Sequence, residues 1–240
     1  MNAIRRGLVA LLKKEDPMNF DQIRERLLAL DTTCVCDANN SLDLDLRVMD
    51  PGLKPLRLGL KLVGRAHTLT CHDDFLTVIK ALRDAQPGEV LVIDSQNSSK
   101  ALTGELFLTE ALRKGLAGMI NDGPCRDTET VRAMKIPYYA RSITSVCGTT
   151  RRLFETQIPV TCGGVSVRPG DILFGDDDGV LVATPEVLTT LIPTAEEIKD
   201  KETRLLQKMA SGISLFEMLN FEEHCADLQA GKESSLRFLD

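Results

Sequence analysis

Between residues 60 and 140 the sequence switches repeatedly between short apolar runs without helical period and stretches whose apolar residues recur every three or four positions. That alternation constrains the fold more than any other feature. Residues 60–70, rich in Val, Leu and Thr, read as a strand. Asp73 and Asp74 supply capping side chains for a helix that turns Phe75, Leu76, Ile79 and Leu82 inward, and Pro87-Gly88 then leads into the apolar strand Val90-Leu91-Val92-Ile93. After a polar loop at 94–100 come a helix at about 103–114, a strand at 117–121, a loop ending in Arg126-Asp127, a helix through Met134, and a strand at 137–140. Such βα alternation is the signature of a sheet covered by helices, an α/β fold.

The flanks read differently. Four short strands, at 158–161, 165–167, 172–174 and 180–183, are separated by Gly163-Gly164, Pro169-Gly170 and the turn 176–179, which predicts antiparallel or barrel-like pairing. Ahead of the alternation, Ile23, Leu27, Leu28 and Leu30 lie at helical spacing, and Asp31-Thr32-Thr33 offers caps for a further short helix. The basic start, residues 1–14 with Arg5, Arg6, Lys13 and Lys14, reads as a surface helix, with a basic amphipathic organelle leader as the alternative. The end, with Glu196, Glu197, Lys199, Asp200, Lys201 and Glu202 packed together, is helical in pattern and suits an extension or a subunit contact. The expected organisation is a helical extension at 1–30, one α/β domain at 31–185, and a helical extension at 186–240.

At 240 residues and 43% hydrophobic, the chain can bury one sizeable core. Its net charge of −6, from 29 basic and 35 acidic residues, argues against a nucleic-acid partner. No apolar run reaches membrane-spanning length, so a membrane partner is not expected. Seven scattered cysteines suit a reducing compartment, so the cytoplasm is the expected location. Cys34 and Cys36 form a CxC pair without a second pair at zinc spacing.

The candidate chemistry lies in Glu105, near one helix start, and Arg126-Asp127, at the start of the next. Both follow an apolar strand, and in an open α/β sheet the loops at the carboxyl ends of neighbouring strands face one crevice. A helix N-terminus around Gly104, Glu105, Leu106 and Phe107 offers N–H groups to a substrate carboxylate, Gly104 permitting close approach. The Asp127 carboxylate suits Mg2+ or Mn2+, Arg126 suits an oxygen that gains charge as a bond breaks, and Glu105 suits proton transfer through water. The plainer reading stays open on spacing alone: Asp127 caps its own helix, Glu105 complements a dipole, and Arg126 is a solvated charge.

Glu105, a gap of twenty residues, and Arg126-Asp127 together resemble the D/E-x20-R-D signature of the RraA-like family, which includes class II pyruvate aldolases acting on 4-hydroxy-4-methyl-2-oxoglutarate and 4-carboxy-4-hydroxy-2-oxoadipate. The resemblance continues through Gly64-Arg65-Ala66, the run from Pro87 to Asp94, Gly104-Glu105-Leu106, the run from Gly118 to Asp127, Pro159 to Val165, and Val167 to Val180. It implies a swivelling β/β/α domain assembled as a trimer or hexamer with active sites between subunits. It implies Asp127 as ligand of Mg2+ or Mn2+, Arg126 as the group that stabilises the enolate and positions substrate, and Glu105 as acid/base. The backbone of Gly104, Glu105, Leu106 and Phe107 would hold the pyruvyl carboxylate, and an acid of a neighbouring subunit would complete the site, with Asp177, Asp178, Glu196 and Glu197 as candidates.

The implied activity is metal-dependent retro-aldol cleavage of a 4-hydroxy-2-oxo diacid to pyruvate, together with oxaloacetate decarboxylation. The alternative is a non-catalytic, protein-binding regulator of ribonuclease activity. Loops 95–99 and 142–149 depart from the family pattern and bear on substrate identity. Other clusters read as structural: His72-Asp73-Asp74 as a cap, Asp176-Asp177-Asp178-Gly179 as a turn, Cys125 as an inert thiol. A menaquinone methyltransferase is disfavoured, because no glycine-rich cofactor loop follows the first strand.

Overall fold

The computed structural model describes residues 18–239, so the basic segment 1–14 lies outside the described residues. Helix α1 (Phe20–Ala29) opens with a reciprocal capping box: Gln22 N–H donates to Asn19 Oδ1, and Asn19 N–H to Gln22 Oε1, both at 3.0 Å. Its inner face buries Ile23 and Leu27. Helix α2 (Thr32–Leu42) is capped from across the chain, not by the expected Asp31, whose side chain makes no cap bond. Instead the N–H and hydroxyl of Thr32 donate to the Asp176 carboxylate at 2.8 and 2.7 Å. Asp31 pairs with Lys61, whose ammonium also meets the carbonyls of Leu28 and Leu30 that end α1.

Ten strands follow in chain order. They are β1 (Arg47–Val48), β2 (Lys54–Pro55), β3 (Leu62–Thr70), β4 (Glu89–Asp94), β5 (Gly118–Cys125), β6 (Tyr138–Ile143), β7 (Val160–Cys162), β8 (Val165–Val167), β9 (Ile172–Gly175) and β10 (Val180–Ala183). Eight form one sheet in the order β1-β10-β9-β3-β4-β5-β6-β2, with β3 through β6 parallel and the flanking strands antiparallel. The other two pair as an antiparallel hairpin. β1 and β2, two residues each, carry no pattern of their own; Pro55, which cannot donate to a ladder, is tolerated in β2 because that strand is an edge.

Strand alternation sorts the core into two faces. Leu91, Ile93, Met119 and Tyr138 point to one face, packed against α3 (Leu76–Asp84), α4 (Glu105–Arg113) and α5 (Thr128–Ala133). Val90, Val92, Ile120 and Tyr139 point to the other, where Val160, Cys162 and Val167 of the hairpin cover them. Hairpin, sheet and helices thus make the expected β/β/α layers.

The described residues divide into two compact units, one ending at Ala195 and the other beginning at Glu196. Helix α6 (Pro185–Ala210) buries Leu188, Leu191, Ile192 and Ala195 in the first. Within the second unit, a 3-10 turn (Phe216–Met218) precedes α7 (Phe221–Gln229), and Asn220 ties the final segment back: its Nδ2 donates to Ser235 O and its Oδ1 accepts from Arg237 N–H. No described helix is long and apolar enough to cross a membrane.

Candidate active site

β4 and β5 are parallel neighbours with Ile93 opposite Asn121, so the segments that follow them leave the sheet at one edge. There the chain leading into α4 runs beside the chain leading into α5. Thr103 pairs with Cys125, Leu102 N–H donates to Pro124 O at 3.3 Å, and Arg126 N–H to Thr103 O at 3.2 Å. Gly104, the N-cap of α4, has φ −167°, which any residue adopts; what excludes a side chain is space. A Cβ there would lie 2.4 Å from Asp127 Oδ2 and 3.1 Å from Arg126 Cγ.

Asp127 occupies the left-handed region at φ 58°, ψ 36°, a conformation that costs an ordinary residue about 1 kcal/mol and that Asp tolerates better than most. Its side chain does not cap α5, which corrects the plainer reading. Oδ2 instead accepts the Glu105 N–H at 3.3 Å, at the positive end of α4, and lies 3.4 Å from Arg126 Nε. Oδ1 has no protein partner among the described residues. Of the four N–H groups at the head of α4, Glu105's goes to Asp127 and Phe107's to Gly104 O, which leaves those of Gly104 and Leu106 for a ligand.

These groups share one open cleft, lined by Phe75, Ala101, Leu102, Thr103, Gly104, Leu106, Phe107, Arg126, Asp127 and Cys147. One wall is aromatic, the Phe75 and Phe107 rings standing 5.6 Å apart. Among the described residues Arg126 is the cleft's one lining cation, and the side chains of Arg126 and Asp127 are 41% and 34% exposed, open to solvent yet in mutual contact. The Glu105 side chain is not among the lining groups; its contribution here is the backbone N–H.

Asp177 and Asp178 separate from this cleft. Leu62 pairs with Gly175, at the amino end of β3, while Thr70 pairs with Asp94 at its carboxyl end, so the β9–β10 turn sits at the opposite edge of the sheet. Asp177 and Asp178 lie on that turn, and Asp177 accepts the Gly59 N–H at 2.8 Å. They can reach an Asp127 cleft only as residues of another subunit. Glu196 and Glu197 belong to the second unit.

Asp74 caps as expected: Oδ1 accepts Leu76 N–H at 3.0 Å, and Oδ2 takes the Thr149 hydroxyl and Arg151 N–H, both at 2.6 Å. Asp73 instead holds the loop of Ser98 and Ser99. Cys125 is buried, and burial pushes its thiol above the usual range, which suits an inert side chain. Sequence reasoning passed over Thr103, Asn121 and Tyr138, buried polar residues at the cleft floor and beneath it; the one signal was hydroxyl and amide groups inside otherwise apolar segments.

A β/β/α domain with a partly exposed carboxylate at a helix N-terminus defines a class, and comparison places the chain within it. The RraA-like family, described as Aldolase/RraA, matches residues 32–182, and the chain belongs to that family. A Halalkalibacterium halodurans protein provisionally named a 4-hydroxy-4-methyl-2-oxoglutarate aldolase is 35% identical over 74% of this chain and 77% of its own length. The structure of the RNA-processing inhibitor RraA from Thermus thermophilis superposes with a TM-score of 0.58 at 30% identity, covering 63% of this chain and 92% of that one. A Geobacillus kaustophilus structure named S-adenosylmethionine:2-dimethylmenaquinone methyltransferase gives 0.60 at 31% identity, covering 65% and 95%.

Proposed function

We propose that this chain is a divalent-metal-dependent carbon–carbon lyase that cleaves a 4-hydroxy-2-oxo diacid to pyruvate and also decarboxylates oxaloacetate. The observation that carries the reading is the convergence of the Asp127 carboxylate, the Arg126 guanidinium and the N-terminus of α4 in one cleft. The relatives named as aldolases support it.

The residues present fit Mg2+ or Mn2+. No group of three or more His, Cys, Asp or Glu among the described residues could hold a metal, which disfavours a closed zinc site, whereas a hard cation that keeps its waters needs only one or two carboxylates. Asp127 offers one through Oδ1, and the missing Cβ at Gly104 leaves room for the other oxygen, Oδ2, of the same carboxylate. When bound, the cation would supply Lewis acidity toward the 2-oxo group.

The chain's own groups do the rest. The N–H groups of Gly104 and Leu106 receive the C1 carboxylate at the positive end of α4. As the C3–C4 bond breaks, its electron pair moves toward the 2-oxo oxygen, and the Arg126 guanidinium donates to that oxygen, a charge present only as the bond opens. The C4 hydroxyl loses its proton and becomes a carbonyl; Glu105, acting through water, accepts that proton and returns it to C3, completing pyruvate. We place the working site between subunits of a trimer or hexamer, with Asp177, Asp178, Glu196 or Glu197 of a neighbour as the completing acid.

A pyruvate-release assay on hydroxy-oxo diacids and oxaloacetate, with and without EDTA, tests the reading. Turnover that Mg2+ restores in the native chain but not in Asp127→Ala supports it. Silence across the panel favours the protein-binding regulator, for which exposed Leu106 at the cleft and Ile143 and Val146 nearby would form an apolar contact surface.

A further inference from the structure

At the cleft floor and beneath it lies a buried polar cluster that the proposed chemistry does not use. Tyr138, the first residue of β6, is buried, and its hydroxyl meets Thr103 Oγ1. Asn121, fully buried in β5, donates from Nδ2 to Thr103 Oγ1 at 3.1 Å and to Pro124 O at 2.9 Å. Thr103 is thus a hub: its side chain joins β5 and β6, and its carbonyl accepts the Arg126 N–H. The next residue is Gly104, against which Asp127 packs.

Two features argue that this cluster is more than core filling. Its neighbours are apolar, among them Leu91, Ile93 and Met119, so apolar residues of similar shape would avoid desolvating two hydroxyls and an amide. Asn121 Oδ1 is buried with no partner among the described residues, so the amide leaves an acceptor unsatisfied. What the amide does is span an irregularity. The β5–β6 register shifts between Asn121 and Pro124, and the Asn121 Nδ2 bond to Pro124 O closes that bulge, fixing where Cys125, Arg126 and Asp127 emerge.

We propose that Thr103, Asn121 and Tyr138 are positioning residues that set the N-terminus of α4 against Arg126-Asp127. Their kinetic consequence rests on the aldolase reading; their mechanical one does not. Thr103→Val keeps the shape and removes the hub hydroxyl, and it lowers kcat for pyruvate release by about a hundredfold, the scale of a misplacement near 1 Å. KM changes much less. Thr103→Ser, which keeps the hydroxyl, recovers most of the loss, and Tyr138→Phe shows a smaller kcat defect.

Amide hydrogen exchange on the folded, substrate-free chain supplies the second readout. Thr103→Val speeds exchange at Glu105 and Arg126 about fivefold, the scale of one net hydrogen bond. A Thr103→Val chain that melts earlier but keeps native kcat and native exchange at both amides overturns the proposal. Should the native chain release no pyruvate, the aldolase reading falls and exchange decides alone: faster exchange at both amides upholds the positioning role, and unchanged exchange ends it.

Discussion

Two edges of the same sheet each bring an aspartate from a distant segment to the N-terminus of a helix, and the two carboxylates are treated differently. At the amino edge, Asp176 is buried and saturated: Oδ2 takes the Thr32 N–H at 2.8 Å, and Oδ1 takes the Thr32 hydroxyl at 2.7 Å and the Asp178 N–H at 3.0 Å. At the carboxyl edge, Asp127 has one long bond of 3.3 Å to Glu105 N–H, an arginine at 3.4 Å, an unshared oxygen and partial exposure. Both satisfy the rule that acids favour helix N-termini. A carboxylate whose acceptor capacity is spent on the fold has little left for a ligand, and only Asp127 keeps capacity in reserve.

The sharpest way to break this comparison is to delete each carboxylate. On the proposed function, Asp127→Ala abolishes pyruvate release, a loss of at least about a thousandfold, while stability moves by no more than about 1 kcal/mol. Asp176→Ala has the reverse profile: it leaves Thr32 N–H uncapped, lowers stability by roughly 2 kcal/mol, and keeps turnover per folded molecule. Paired melting curves and kcat values check both. An inactive, well-folded Asp176→Ala chain would erase the distinction, unless a neighbour's amino edge completes the site.

Arg126→Ala comes next, with kcat falling about a hundredfold and KM much less, because its donation is worth most as charge develops. Steady-state kinetics separate the two constants, and equal loss through KM alone would make Arg126 a ground-state binder. Gly104→Ala sharpens the same point without touching a charged group. Its new Cβ would lie 2.4 Å from Asp127 Oδ2 and must push the carboxylate aside. Mg2+ affinity drops about tenfold, the size of a displaced supporting contact, and calorimetry of Mg2+ binding reads it directly.

How much of this was legible in the sequence depends on range. β3, β4 and the hairpin strands read correctly because short apolar runs bounded by turn residues are a local signal. β5 did not: it was expected to end at Asn121, yet it runs to Cys125, because Asp122, Gly123 and Pro124 look like loop residues and are held extended by a bulged pairing in which Pro124 meets Ser142. That Gly104, Arg126 and Asp127 meet was legible because spacing along two βα units carries them to one edge; their chemical roles came only from the family resemblance. The saturation of Asp176 was not, since its partner Thr32 is 144 residues away. Nor was the hub at Thr103, because a threonine before a helix has many ordinary uses.

Asp74 offers the finest test, as a second saturated carboxylate lying between the edges' two behaviours: it caps α3 and also pins the segment at Thr149 and Arg151, close to Cys147 of the cleft. Burial pushes its pKa up, but the Thr149 hydroxyl and the N–H groups of Arg151, Leu76 and Arg152 outweigh that and hold it below the usual carboxylate value. A carboxyl depressed in the folded state stabilises the fold fully above the unfolded pKa of about 3.9, and that contribution is lost as pH falls through the lower folded value. Thermal melts from pH 6 to pH 2 therefore show Asp74→Asn less stable than the native chain at the upper end, with the gap narrowing through the acid limb. A constant gap across that range would mean the Asp74 bonds act through shape and not charge, and would weaken the claim that saturation marks a structural carboxylate.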